Sequence, residues 1–220
     1  MLVAGVDEAG RGYVIGPLVV AGVMIKEEKL PELKRLGVKD SKLLSAKKRE
    51  ALAVEIARLA EKHLTVRLMP VEIDCAVKSG RKLHKLNRLE AQTMAKIIEA
   101  LKPDEAYVDA ADVLEERFKH HIQEGLTFKT KIVAEHKADR TYTVVSAASI
   151  IAKVERDREI AALTGEYGDF GSGYLADPRT TRFLKQWLQV HGEYPDCVRK
   201  SWKPAKQAKN ELGSVQKKLA

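Results

Sequence analysis

Leu2-Val3-Ala4-Gly5-Val6-Asp7-Glu8-Ala9-Gly10-Arg11-Gly12 decides how the rest of the chain is read. A short apolar run meets two acids, and Gly10 and Gly12 follow at once. Leu2 to Asp7 reads as a buried strand, because such a run, bounded by turn residues, fits a strand covered on both faces. Val14 to Ile25 reads as a second strand, kinked at Gly16-Pro17. Gly10, Gly12 and Gly16 mark a tight, hairpin-like connection between the two.

Working outward, Ser45 is an N-cap for a helix to about His63, with Leu52, Ile56 and Leu59 on one face. Leu64 to Met69 alternates as a third strand. Leu83 to Leu101 carries a helical pattern through Leu86, Leu89, Met94, Ile97 and Ile98, stopped by Pro103. Ala106 to Asp109 is a short strand that ends in an acid, Val113 to Gln123 a helix, and Lys129 to Ala134 a fifth strand. Val144 to Leu163 is a helix with Ser146, Ala147, Ala148 and Ser149 near its start, small residues that allow close packing. The order predicts an α/β domain with helices covering a mixed five-stranded sheet.

Gly165, Gly168, Gly171 and Gly173 form a flexible connection. Beyond it, Pro178 to Val190 and Trp202 to Leu212 read as helices. The expected division is an α/β domain over 1–170 and a C-terminal helical appendage over 171–220, with a soft boundary near residue 170. A chain of 220 residues can bury a full core in such an arrangement. Lys218-Leu219-Ala220 also fits a vector remnant.

The formal net charge is +8, and its distribution says more than its size. From Gly171 to Ala220 there are ten Lys and Arg (Arg179, Arg182, Lys185, Arg199, Lys200, Lys203, Lys206, Lys209, Lys217 and Lys218) against four acids. A basic end on a balanced body suits a polyanion, most simply nucleic acid. Cys75 and Cys197 form no CxxC pair, which argues against a zinc site or a disulfide framework and for a reducing, cytoplasmic setting. No apolar run reaches the ~18 residues of a membrane span.

Asp7 and Glu8 close the first strand, Asp109 closes the fourth, and Asp139 follows the fifth. In open α/β sheets, sites form at the carboxyl ends of strands. Three separate segments thus deliver acids towards one edge. Hard oxygen ligands hold Mg²⁺ and leave room for water and phosphate oxygens. Two ions ~3.5–4 Å apart suit phosphoryl transfer. Adjacent strand residues face opposite sides, so Glu8 joins Asp7 only if the strand bends there, or if its backbone carbonyl takes part. Any single acid here also fits a capping or solvated role, as Asp112, Glu115 and Glu116 do at a helix start.

Several blocks resemble the type 2 ribonucleases H, or ribonuclease HII, of archaeal kind. They are Gly5-Val6-Asp7-Glu8-Ala9-Gly10-Arg11-Gly12 with Gly16-Pro17, Asp40-Ser41-Lys42, Tyr107-Val108-Asp109-Ala110-Ala111-Asp112, His136-Lys137-Ala138-Asp139, Val145 to Lys153, and Gly171-Ser172-Gly173-Tyr174 with Asp177-Pro178-Arg179-Thr180. They come in the family's order over residues 2 to 203. The resemblance implies a ribonuclease H-like fold and a four-carboxylate site mapping onto Asp7, Glu8, Asp109 and Asp139. It implies Mg²⁺ or Mn²⁺, two ions in the working complex. It implies cleavage of RNA in RNA/DNA hybrids and on the 5′ side of ribonucleotides embedded in duplex DNA, leaving 3′-hydroxyl and 5′-phosphate ends. It further assigns Gly10, Arg11, Gly12 and Tyr174 to the ribose 2′-hydroxyl and its surroundings, and Lys42 to a phosphate. A monomer is expected.

Two departures stand out. Tyr13 follows the glycine turn, where a smaller residue is expected. Gln216-Lys217-Lys218-Leu219-Ala220 carries no aromatic pair, which argues against docking on a sliding clamp. Ser146, Ser149 and Lys153 are secondary candidates. His136, near Asp139, offers a proton shuttle, while the other histidines form no metal pattern. Trp187 reads as core, and Trp202, between Lys200 and Lys203, as core ahead of a duplex contact. Two rivals remain at this point: a junction resolvase on the same kind of core, which has no use for a 2′-hydroxyl reader, and a non-catalytic nucleic-acid-binding module, which has no use for the four acids together.

Overall fold

The computed structural model describes residues 1–38, 44–78, 85–203 and 205–210. The strands are β1 (Leu2–Ala9), β2 (Leu18–Lys26), β3 (Lys62–Leu68), β4 (Glu105–Asp109) and β5 (Lys131–Glu135). The helices are α1 (Leu30–Arg35), α2 (Ala46–Leu59), α3 (Pro70–Lys78), α4 (Lys85–Leu101), α5 (Glu115–Gln123), α6 (Ala138–Thr141), α7 (Thr143–Tyr167) and α8 (Pro178–His191). The strands form one five-stranded sheet in the order β3-β2-β1-β4-β5. β1 runs antiparallel to β2 and parallel to β4, and β4 runs parallel to β5. The mixed sheet is therefore as expected from the order of elements.

The chain divides into two compact units. The first comprises Met1–Ala9, Val19–Arg67 and Lys82–Glu155, and contains the sheet. Alternation along β1 feeds two cores on its two faces. Val3 packs with Leu33 of α1, Leu52 and Ile56 of α2, and Ala147, Ala148 and Ile151 of α7. Ala4 and Val6 pack with Met94, Ile97 and Ile98 of α4 and with Phe118 and Ile122 of α5. Gly5 explains how α7 lies so near the sheet. A Cβ built there would stand 2.2 Å from the Val144 carbonyl oxygen, closer than any side chain tolerates.

The second unit comprises Gly10–Leu18, Leu68–Arg81 and Arg156–Ala220. Its core gathers Val14, Ile15, Phe170, Leu184, Leu188 and Tyr194. Asp177 caps α8 by accepting from the Arg179 amide, Pro178 follows in the first turn, and Gly192 closes the helix in the left-handed region. Phe183, Trp187 and His191 line one side of α8, with Trp187 and His191 stacked at 4.3 Å. Trp187 and Trp202 are half-buried, with Trp202 against this core. Of the two thiols, Cys75 is exposed on α3 and Cys197 is buried, and burial pushes the Cys197 thiol up to about 12.

Several boundaries correct the sequence reading. β2 begins at Leu18, not Val14. Ile15 bridges Val198 instead, the Gly16 amide donates to the Cys197 carbonyl, and Pro17 has no amide to give a sheet ladder. α2 ends at Leu59, because the chain turns and the Glu61 amide donates to the Met24 carbonyl at the sheet edge. The short helices α1, α3 and α6 carried no periodic signal long enough to read. Beyond Trp202, helical residues continue to 210 among those described. Leu83 and His84, at the expected start of α4, lie outside the described residues. Among the described residues, no helix is long and apolar enough to cross a membrane.

The Gly5 contact makes a direct prediction. Gly5→Ala forces a methyl group into the Val144 backbone, and overpacking of this kind costs about 1–3 kcal/mol or more. Denaturant unfolding should show that loss, whereas Ala9→Gly, at the half-buried strand end, should cost less.

Candidate active site

Asp7 sits near the carboxyl end of β1. Val6 pairs with Val108 across the parallel ladder, so Asp7 stands beside Asp109 one step beyond. Register-matched residues of parallel neighbours face the same side, and here that is the side of α7, where Val3 and Gly5 also point. Asp7 is only 4% exposed. Burial first, then the charges of Glu8 and Asp109, raise its pKa well above the ordinary carboxylate value, against donors at the Glu8 amide and the Ser149 side chain. The Glu8 amide donates to Asp7 Oδ1 at 2.7 Å.

Asp109 is tied in turn to the next segment. Its Oδ1 accepts from the Ala138 amide at 2.8 Å. Ala138 and Asp139 open α6 after Lys137, which adopts a left-handed conformation. Asp139 is buried, and its carbonyl accepts from the Ser146 hydroxyl of α7. Of the two ways for Glu8 to join Asp7, a bend in β1 is not the one seen. The β1–β2 ladder runs on through Glu8 opposite Val20 and Ala9 opposite Val19. Glu8 therefore keeps its strand position and acts on Asp7 through its charge and its amide.

These acids suit a hard cation. All donors are carboxylate oxygens, and burial together with the Glu8 and Asp109 charges makes ionisation of Asp7 unfavourable, a cost that a bound cation would offset. Among the described residues, no three His, Cys, Asp or Glu side chains already stand at coordination spacing of one ion. That is compatible with Mg²⁺, which keeps several waters and takes only one or two carboxylates alongside substrate oxygens.

The glycine turn belongs to the second unit. Gly10 has φ +96°, a region open to glycine, and a Cβ there would stand 2.7 Å from the Pro17 carbonyl oxygen. Gly12 is exposed and lies against Tyr174, whose ring would be 3.1 Å from a Cβ at that position. Tyr174 itself is 46% exposed. Tyr13 meets it edge-on at 5.0 Å between ring centroids, and the buried Arg156 guanidinium lies 3.6 Å over the Tyr13 ring. Arg156 also donates to the Ser172 carbonyl at 2.9 Å. Tyr13 is thus a packing partner of Tyr174, which the sequence left open.

Sequence reasoning missed three residues here. Arg199 was counted with the basic end, yet it is fully buried and donates to the Gly10, Arg11 and Gly16 carbonyls. Nothing in its run, Arg199-Lys200-Ser201-Trp202-Lys203, separates it from surface charge except the apolar Cys197-Val198 before it. Arg156 looked like one of many helix charges. Asp74, also buried, accepts from the Lys200 and Ser201 amides at 2.7 and 2.9 Å. The remaining basic residues Arg179, Arg182, Lys185, Lys203, Lys206 and Lys209 are exposed. His136 does not face a reacting group: its ring nitrogens lie 3.2 and 3.3 Å from the Ala110 and Val113 carbonyls. Asp112 pairs with Arg117 and accepts from the Leu114 amide, as a helix-start acid should. Lys42, with Asp40 and Ser41, lies outside the described residues.

A mixed sheet ordered β3-β2-β1-β4-β5, with acids closing its two central parallel strands, has the ribonuclease H-like fold of phosphodiester hydrolases. The chain belongs to the ribonuclease HII family, whose model matches residues 4–205. It is accordingly a hydrolase, a metal-dependent endonuclease of the ribonuclease H kind. Ribonuclease HII of Pyrococcus abyssi is 48% identical over 218 residues, 98% of this chain and 95% of that protein. The crystal structure of ribonuclease H2 from Pyrococcus horikoshii superposes with TM-score 0.89 at 43% identity, covering 97% of this chain and 99% of the other. Ribonuclease HII of Archaeoglobus fulgidus, solved in complex with PCNA, gives TM-score 0.83 at 47% identity over 92% of this chain and 96% of the other. With a clamp complex known for that relative, the doubt about clamp docking is not borne out, and residues 216–220 lie outside those described.

The Asp7 environment predicts a pH dependence. A folded pKa above the unfolded value means that the folded state keeps a proton the unfolded chain has lost. Stability from Asp7 is then full below the ordinary aspartate pKa of about 3.9 and falls as pH rises through the folded value. In metal-free protein, Asp7→Asn should therefore be more stable than the parent at neutral pH. The gap should close as pH is lowered towards about 4. Denaturant unfolding in chelator, across that range, measures it.

Proposed function

We propose that the chain hydrolyses the RNA strand of RNA/DNA hybrids and cuts 5′ to ribonucleotides embedded in duplex DNA, leaving 3′-hydroxyl and 5′-phosphate ends. The observation that carries this is Asp7: a carboxylate withdrawn from water beside Asp109 and Glu8 at the sheet's carboxyl end, in a ribonuclease HII chain. Asp7, Glu8, Asp109 and Asp139 would hold two Mg²⁺ or Mn²⁺. Such ions, when bound, supply Lewis acidity at a phosphate and a water activated for attack.

The chain's own part is placement. The Ser149 side chain and the Glu8 amide fix the Asp7 carboxylate, and the Ala138 amide fixes that of Asp109. Held oxygens need no rearrangement as charge develops at phosphorus. Gly10, Arg11 and Gly12 offer backbone amides to a ribose 2′-hydroxyl, the group that separates RNA from DNA. Tyr174, exposed and braced edge-on by Tyr13, gives a flat apolar face for the sugar and base beside it. Lys42 contacts a phosphate in this reading. Exposed lysines and arginines after residue 170 add sequence-independent attraction to the duplex backbone. In this reading residues 1–170 carry the four acids, and 171–220 add Tyr174 and the basic residues to the substrate contacts begun by Gly10, Arg11, Gly12 and Lys42. Clamp docking, as in the Archaeoglobus fulgidus relative, is compatible with this reading.

A DNA duplex with one ribonucleotide, with and without Mg²⁺, is the deciding substrate. Cleavage 5′ to the ribonucleotide, lost in chelator and lost in Asp7→Asn with duplex binding kept, is the expected result. Near-normal turnover by Asp7→Asn in Mg²⁺ would remove the site. Loss of a stacking face costs about 1–3 kcal/mol. Tyr174→Ala should therefore slow cutting at a lone ribonucleotide roughly tenfold or more, and long hybrids less. Equal loss on both would count against stacking.

A further inference from the structure

Arg199 is among the largest side chains with no exposed surface. Its Nη2 donates to the Gly10 carbonyl at 2.7 Å and to the Gly16 carbonyl at 3.1 Å. Its Nη1 donates to the Arg11 carbonyl at 2.8 Å, and its Nε to the Gly16 carbonyl at 3.2 Å. The Arg199 amide donates to the Val14 carbonyl at 2.8 Å, and the Trp202 ring covers the guanidinium at 5.0 Å. One side chain thus gathers three carbonyls of a single turn, all within the second unit. A buried cation is tolerated only when its donors are satisfied. A planar fork with five N–H groups can do that here, whereas a lysine ammonium, a single point with three, cannot span the same oxygens.

Peptide planarity then decides where the amides go. Among the described residues no peptide bond is cis. In a trans unit the C=O and the following N–H point in opposite directions. With the Gly10 and Arg11 carbonyls drawn onto Arg199, the amides of Arg11 and Gly12 must face away from it. Gly12 is exposed, so this face of the turn lies at the surface. The third carbonyl, of Gly16, precedes Pro17, which has no amide to present. Of these three planes, two carry amides, those of Arg11 and Gly12, and both amides face away from Arg199.

We propose that Arg199 is a positioning residue for ribose recognition: holding the Gly10 and Arg11 carbonyls inward, it aims the Arg11 and Gly12 amides as paired donors at a 2′-hydroxyl oxygen. This rests on the reading of the glycine turn given above. It assigns RNA-over-DNA discrimination partly to a residue that never touches the substrate.

The test uses the full-length Asp7→Asn protein in Mg²⁺, so that binding is read without cleavage. Affinity is measured for a duplex with one ribonucleotide and for the matched all-DNA duplex. Adding Arg199→Lys should lower the preference for the ribonucleotide duplex by about tenfold, or to near unity, with all-DNA affinity unchanged. A merely structural role would weaken both duplexes together, and that outcome overturns the proposal. So does a preference kept intact. Absence of any preference in Asp7→Asn with Arg199 present would instead sink the ribose-reading function itself. Arg199→Gln, a smaller planar donor, is the second variant. If neither variant folds, hydrogen exchange of the Arg199 Nε–H in the unsubstituted chain decides: strong protection is expected, and exchange as fast as that of exposed Arg182 overturns the clamp.

Discussion

Asp7 is held in an environment that resists its ionisation, and much of the first unit serves to hold it there. The parallel register of β1 and β4 sets it beside Asp109. Gly5 admits the α7 backbone close to the sheet, which carries Ser149 to the Asp7 carboxylate. The amide at the start of α6 fastens Asp109 and so fixes the segment that bears Asp139. Two packed cores on opposite faces lock the strands that deliver these groups. In the proposed site a bound cation would relieve that like-charge repulsion, so the electrostatic cost of ionising Asp7 would be offset by metal affinity.

Much of this was legible beforehand. The run from Leu2 to Asp7 announced a buried strand, and β4 announced itself by a short apolar stretch ending in Asp109, because period and punctuation are local signals. Ser45 was readable as a cap because its side chain acts within one turn. The resemblance blocks supplied what spacing could not, a reason to single out Asp109, which stands beside Asp7, over Asp112, which pairs with Arg117.

What stayed hidden is non-local. Ile15 looks like strand, and only a partner more than a hundred residues away, Val198, shows where it bonds. The rule of alternating faces left Glu8 either a bend in β1 or a role for its backbone carbonyl; the ladder continues through Glu8, whose charge still reaches Asp7. Arg199 is the clearest case. Its type and neighbours say surface, and its partners Gly10, Arg11 and Gly16 lie at the other end of the sequence. A polyanion-binding end and a buried structural cation are indistinguishable when charge is counted along a line. The same holds for Asp74, an acid inside a short helix that proves to cap distant amides.

The two thiols are chemically unequal. Cys197 is sealed in apolar surroundings and stays protonated in ordinary buffers, while Cys75 is open to solvent on α3. Thiolates, not thiols, react with maleimides and iodoacetamides. The native chain thus carries a single addressable attachment point without any engineering. That point adjoins Asp74, which grips the Lys200 and Ser201 amides, so a fluorophore there would sit one residue from the anchor of the segment leading to Trp202.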